Sequence, residues 1–398
     1  MGYLERAEKM GLDTAALKRG ETVDTTILVT SLEEYRDLFA PDIPDEQRSK
    51  FSKSLQSKSF LAEKRYYNAD QMFKLMDYIY GTHSLTDDER SFSKHLFPVR
   101  VRVTAADNLE VTTDMSEGPA AAPWVVNAGT LTFNGGSLTA ITTQFTLSAD
   151  NLVVIRGGTN TYHVGIMGAK GTVGTTGATG SSYSSAAAQG DNGGEASPGI
   201  CTSSHVGGTG GTGGAGGTGA TGGTGANGIA NLPATITIRA WDPSNISPFV
   251  VATMSGEGGQ GGTGGTGGKG QNGGKGGKGC DSGCEGENGG NGGGGGAGGD
   301  GGAGGKGGNG TDGNDIFVYF PSQYATMYQP TSQSAAPGAG GTGGNGGEGG
   351  SGGAGGEGGK HHDNGVSGSP GRTGQPGISG DSGSSSGAPG TLNFVPVN

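Results

Sequence analysis

The sequence predicts a multidomain protein: an N-terminal α-helical domain, a small β region, and then a bundle of about six polyglycine II helices capped by β-strands. Three observations predict it. Glycine recurs at every third residue in six runs, 165–180, 207–228, 258–279, 283–313, 340–359 and 365–383. Of the 91 glycines only Gly2, Gly11, Gly20, Gly81, Gly118 and Gly129 precede residue 130. The segments between the runs alternate between strand-like and polar.

Residues 1–97 read as the helical domain. Ser31 with Glu34, and Thr86 with Glu89, have the spacing of capping boxes. Met72, Leu75, Met76 and Ile79 make an apolar stripe at helical spacing that stops at Gly81. Such a domain would serve attachment or assembly. From residue 98 to 164 the pattern changes to alternation, in VRVRVT (99–104), TLTF (130–133), QFTLSA (144–149) and NLVVIRG (151–157), which predicts strands in a β-rich connector.

Residues 165–398 hold the glycine runs and the strands between them. In an extended helix of three residues per turn, each register forms its own ridge, and a glycine ridge lets another backbone approach closely. Gly207, Gly210, Gly213, Gly343 and Gly346 are therefore expected at backbone contacts, and Gly294, inside the all-glycine stretch 292–296, at the most crowded point. Flexible linkers do not keep such a phase. Collagen needs one glycine per triplet and draws rigidity from imino acids, whereas four of the six runs double the glycine and lack proline. The two single-glycine runs, 165–180 and 365–383, suit the edges.

Strand-like joints follow the second run (ATITIRAW, 234–241, and FVVATM, 249–254), the fourth (DIFVYF, 315–320, and YATMYQ, 324–329) and the sixth (TLNFVPVN, 391–398). The polar joints are 181–206, CDSGC (280–284) and KHHDN (360–364). If successive runs are antiparallel, the polar joints gather at one tip. Cys201, Cys280 and Cys284 then lie there with His205, His361, His362 and Asp363. A disulfide between Cys280 and Cys284 or from either to Cys201, unpaired thiols in simple turns, and a zinc site are all open, although the spacing fits no zinc knuckle.

A net charge of −11 argues against nucleic acid, which needs clustered Lys and Arg. Lys269, Lys275 and Lys278 on one exposed ridge face Glu348 and Glu357 on another, and read as neighbour pairs. No apolar span is long enough for a membrane helix, and the N-terminus MGYLERAEKMGLD lacks the apolar core of a signal peptide. No nucleophile, base and orienting group occur together, so the reading is non-enzymatic, with no cofactor expected beyond the zinc alternative.

GGTGGTGGAGGTGATGGTG (207–225) and GGTGGNGGEGGSGGAGGEGG (340–359), joined by short polar turns, resemble the glycine-rich polyglycine II sandwich of the distal tail-fibre adhesins of T-even-like bacteriophages. The resemblance is architectural and covers about residues 165–390. It implies a virion or extracellular-surface protein whose N-terminal domain docks on a parent fibre and whose distal loops bind a bacterial or cell-surface receptor. The tip residues it implies are Tyr183, Cys201 and His205 in the first loop, Cys280, Asp281 and Cys284 in the second, and His361, His362 and Asp363 in the third. Two other functions fit the sequence. One is a structural subunit of an extracellular filament or coat, self-assembling through the N-terminal domain. The other is ice binding through the ridge Thr209, Thr212, Ala215, Thr218, Thr221 and Thr224, where the chain is similar to the snow flea antifreeze protein.

Overall fold

The computed structural model describes the chain apart from residues 41–43, 63–68, 120, 246, 283–284 and 398. The first elements are α1 (Tyr3–Lys9), α2 (Thr14–Lys18), β1 (Val23–Val29), α3 (Leu32–Phe39), α4 (Asp45–Ala62), α5 (Ala69–Tyr80) and α6 (Asp87–Ser93). Strands follow: β2 (Val99–Val111), β3 (Met115–Glu117), β4 (Trp124–Asn134), β5 (Leu138–Ile141), β6 (Phe145–Arg156) and β7 (Val164–Met167). Between the later glycine runs lie β8 (Ala234–Trp241), β9 (Phe249–Met254), β10 (Ile316–Pro321), β11 (Tyr328–Gln333) and β12 (Leu392–Val397).

From β2 onward the chain passes alternately between two sheets. One is seven-stranded in the order β1-β2-β4-β6-β8-β10-β12, and the other five-stranded in the order β11-β9-β7-β5-β3. All pairings are parallel except β1 on β2, which is antiparallel, from Val23 opposite Ala105 to Val29 opposite Val99. Side chains alternate along the strands, and in β4 and β6 the inward set shifts by one residue midway, from Ala128 to Leu131 and from Ala149 to Leu152. Trp124, Val126 and Ala128 of β4 point between the sheets, with Phe145 and Leu147 of β6, Ile236 and Ile238 of β8, Phe249 of β9 and Phe320 of β10. The rings of Trp124 and Phe145 lie 5.1 Å apart and those of Phe249 and Phe320 6.1 Å apart. Each such ring, fully buried, contributes about 1.5–3 kcal/mol.

The opposite face of the larger sheet carries the helices. Leu17, Leu32, Tyr35, Phe39, Phe51, Leu75 and Ile79 pack on Val101, Val103 and Ala105 at one side of it and on Phe317 and Val395 at the other. The Thr86 box forms fully: its hydroxyl accepts from the Glu89 N–H, and the Glu89 carboxylate accepts from the Thr86 N–H. Ser31 caps α3, but Glu34 turns back to the N–H and hydroxyl of Thr30. In the stripe of α5, Leu75 and Ile79 are buried while Met72 is exposed.

These findings overturn the fold class read from the sequence. The molecule is a mixed α/β fold, with helix in only 14% of the chain, and not a bundle of about six polyglycine II helices behind a helical domain. The strands do not cap a bundle; they form the body, and one sheet takes strands from residue 23 to residue 397. The physical reason lies in where apolar area is available. The residues able to build a core sit in the strands and in the helices packed on them, and almost none in the glycine runs, so the body condenses there, and the runs become long connections from the smaller sheet to the larger. They fall at one corner of the coil: β7 to β8, β9 to β10, and β11 to β12.

Each connection runs out and back, giving six legs: one (168–193), two (207–230), three (256–279), four (286–313), five (338–359) and six (365–388). None belongs to a helix or a named strand. Legs one, three and five leave neighbouring strands of the smaller sheet, so they lie side by side, joined by bonds such as Gly171 N–H to the Glu257 carbonyl (2.8 Å) and Gly258 N–H to Ala336 (2.9 Å). Legs two, four and six return to neighbouring strands of the larger sheet and pair likewise, as in Gly210 N–H to Asn291 (2.9 Å) and Gly292 N–H to Val366 (2.8 Å). A second set crosses between the two layers, for example Gly262 N–H to Gly223 and Gly293 N–H to Gly274.

Close approach is what the glycines supply. A Cβ on Gly213 would sit 2.0 Å from the Gln271 carbonyl oxygen, and one on Gly343 1.9 Å from that of Gly377. Gly207, Gly210 and Gly346 meet carbonyls in the same way. The Cα hydrogen in that direction thus faces an oxygen, with Cα and O about 3.5 Å apart, the geometry of a weak C–H···O bond. Gly294 departs from expectation. The nearest atom to its Cβ position is 3.8 Å away, because it occupies the outward register, and Gly293, Gly295 and Gly296 make the backbone contacts instead. The outward register also carries Lys269 and Lys278, whose ammonium groups lie 3.7 and 2.6 Å from Glu348 and Glu357.

Candidate functional site

At the end of the legs remote from the sheets, three turns meet: 194–206, 280–285 and 360–364. Backbone bonds hold them in register. The Cys280 N–H donates to the His205 carbonyl (3.2 Å), Gly359 N–H to Glu287 (2.9 Å) and Gly286 N–H to Lys360 (3.0 Å). A disulfide between Cys201 and Cys280, 79 residues apart in sequence, ties the first turn to the end of leg three. Of the pairings open in the sequence, this one forms. Cys284 lies outside the described residues.

Side chains finish the turns. The Asp281 carboxylate accepts from the Lys360 N–H (3.1 Å), which fastens the second turn to the third. Asn288 Oδ1 accepts from the Asp363 N–H (3.0 Å) and lies 3.3 Å from His362 Nδ1. His361 has φ +66°, a left-handed position that reverses the chain and leaves its ring exposed. The Thr202 hydroxyl lies 2.7 Å from His205 Nδ1. Within the second turn Ser282 donates to the Glu285 carbonyl. The structure thus brings together Cys201, His205, Cys280, Asp281, His361, His362 and Asp363.

Tyr183 is not among them. Leg one stays in the stack through Gly190 and Gly193, so its turn is shorter than the joint 181–206, and Tyr183 belongs to a bulge partway along the leg. Its hydroxyl covers Gly214, within 2.6 Å of where a Cβ would be. Leg one carries one extra residue here: Gly217 N–H bonds Ser181 and Gly211 N–H bonds Ala188. The Gly214 N–H between them takes the Gln271 side-chain oxygen instead (2.9 Å).

Two exposed apolar side chains at the tip escaped the sequence reading, Ile200 (54% exposed) and Val206 (46%). The string GICTSSHV (199–206) contains the signal, since aliphatic residues in an otherwise polar turn have no core to enter. Exposed His361, Asp363, Lys360 and Asp281 complete a surface of both charges with apolar spots. Among the described residues no group of three or more His, Cys, Asp or Glu could hold a metal ion, and the disulfide takes two of the three possible thiolates. Among the described residues, too, no helix is long and apolar enough to cross a membrane.

The chain matches no protein-family model and no curated protein. Among solved structures it aligns with the nine polyproline type II helical bundle springtail antifreeze protein from Granisotoma rainieri. Identity is 25%, over 49% of this chain and 94% of that one, with a TM-score of 0.10, a likeness too slight to support any argument.

Proposed function

We propose that the protein is a non-enzymatic receptor-binding adhesin, carried on a virion or another extracellular surface, which offers the turns at the end of its glycine-rich legs to a bacterial or cell-surface receptor. The observation that carries this reading is the meeting of three turns, distant in sequence, at the end farthest from the core. A scaffold held by backbone bonds tolerates any turn that reconnects neighbouring legs, so the turns are free to serve recognition. The disulfide supports the same reading, since such bonds persist outside reducing compartments. The helices and the larger sheet, at the opposite end, would join the protein to its parent fibre.

The test is a tip variant with Asp281→Asn, His361→Asn, His362→Ser and Asp363→Ser in the full chain, with Cys201 and Cys280 kept. Labelled parent protein should bind a susceptible bacterial panel, and the variant should lose at least about tenfold in affinity with an unchanged melting temperature, as expected for interface centres. A parent that binds no cell but forms filaments, or a variant that binds as the parent does, would reject the reading.

A further inference from the structure

The helix-covered face of the larger sheet contains a polar cavity that the tip does not explain. Strands covered on both faces ordinarily run apolar throughout. Here the covered face is apolar at Val101, Val103, Ala105 and Val125 on one side and at Phe317 and Val395 on the other, but polar across β6 and β8 between them. In one cross-strand row Asn127 lies beside Ser148, Ser148 beside Thr237, and Thr237 beside Tyr319; in the next, Thr146 lies beside Thr235. These side chains floor a cavity of about 690 Å³, within the range of small-molecule sites, roofed by α1, α3 and the start of α4.

Two features say what the cavity would take. The Tyr319 hydroxyl is buried, with the residue 2% exposed, and has no hydrogen-bond partner among the described residues. Leaving such a group unpaired is unfavourable, so a ligand that pairs it gains. The walls carry more cations than anions: Arg36, Arg48 and Arg239 line the cavity, Arg36 stacked on the Tyr78 ring (4.4 Å) and Arg239 3.6 Å from the Asp150 carboxylate, and the charge of Arg48 reaches Tyr319. The two carboxylates on the walls are already engaged, Glu33 by Arg90 (2.7 Å) and Asp37 by Lys9 (3.0 Å). Arg6, held by Asp150 and Asn127, fixes one wall. A floor of short hydroxyls suits a polyhydroxylated molecule, and guanidinium walls suit an anion.

We propose that this cavity binds a small sugar anion, a saccharide unit bearing a carboxylate or a phosphate. The site is separate from the tip and does not depend on the adhesin reading. Calorimetric titration of the full chain with glucuronate, glucose 6-phosphate, glucose and inorganic phosphate tests it and separates the two anion types. At least one sugar anion should bind, with glucose and inorganic phosphate each at least about tenfold weaker. Tyr319→Phe keeps the ring and removes the unpaired hydroxyl, so it should weaken the sugar anion about tenfold, the equivalent of one hydrogen bond, without lowering the melting temperature. Arg48→Gln should weaken the anion while bringing its affinity toward that of glucose. Failure of both sugar anions to bind, inorganic phosphate binding as tightly as they do, or Tyr319→Phe binding like the parent would overturn the proposal.

Discussion

Gly294 and Gly295 are neighbours with opposite duties. A Cβ on Gly295 would lie 2.0 Å from the Gly350 carbonyl oxygen, whereas one on Gly294 meets nothing closer than 3.8 Å. Gly295→Val should therefore cost about 1–3 kcal/mol or more, the range for overpacking, while Gly294→Val stays within about 0.5 kcal/mol, as at ordinary surface sites. Thermal melts of the two variants check this, and equal melting temperatures would contradict it. His163 gives a second prediction at this scale. Its ring packs against Phe133 and Phe249, 5.2 and 6.0 Å away, with Nδ1 accepting from the Val250 N–H and Nε2 without a partner among the described residues. Desolvation by burial lowers its pKa to about 4. The unfolded chain, with an ordinary histidine near 6.5, takes up the proton first. Stability is thus full above about pH 6.5 and falls as pH drops toward 4, by up to about 3 kcal/mol from this group. His163→Gln should flatten the pH profile of unfolding across that window, and an unchanged slope would contradict the assignment.

At the scale of elements, much was legible where the pattern was local. ATITIRAW and FVVATM coincide with β8 and β9, and VRVRVT opens β2. QFTLSA and NLVVIRG proved to be one strand, β6, although the inward set shifts by one residue between them, from Phe145, Leu147 and Ala149 to Leu152 and Val154, across Asp150, which turns outward to meet Arg6. β1, with the sequence VDTTILV, was hidden inside a region read as helical, since its partner β2 lies some seventy residues away and no local signal marks the pairing. YATMYQ was misread in half: a 3₁₀ turn occupies Ser322–Met327 before β11 begins. The tip was legible as a set of polar joints. Tyr183 was misplaced because the one-residue bulge of leg one breaks register only in three dimensions. The last strand of each sheet also carries a proline that nothing local explains, Pro330 in β11 and Pro396 in β12, both exposed. Proline within a sheet is tolerated where its N–H side faces away from the ladder, so each removes a donor from the open edge. Replacing both with threonine should raise self-association in sedimentation velocity runs. Unchanged behaviour would mean that the edges are protected by something else.

At the scale of the whole molecule, the two sheets dictate the order of the legs. β7, β9 and β11 are neighbours, as are β8, β10 and β12, so legs one, three and five must leave side by side and legs two, four and six must return side by side. Legs one and six, with single glycines, then fall on the outside, and the doubled glycines fall where backbones approach from several sides. Donors follow the same logic. In legs two, three and four two N–H groups of each triplet are bonded to other legs, as at Gly261 to Ala339 and Gly262 to Gly223, whereas leg five donates from one glycine per triplet, as at Gly341 and Gly344. Both the meeting of the turns and the proposal built on it depend on this stacking. NMR-detected amide hydrogen exchange on the full chain measures it most directly. The stacking predicts slow exchange at Gly261, Gly262, Gly264 and Gly265 with fast exchange at Thr263, repeated along leg three except at Lys269 and Lys278, whose N–H groups donate to the Ser182 and Asn192 side chains, and along leg five every third amide slowed, with Ser351 and Gly358 added by their bonds to Asn272 and Asn364. Uniformly fast exchange from residue 256 to residue 279 would contradict it and leave the glycine runs as loose tethers.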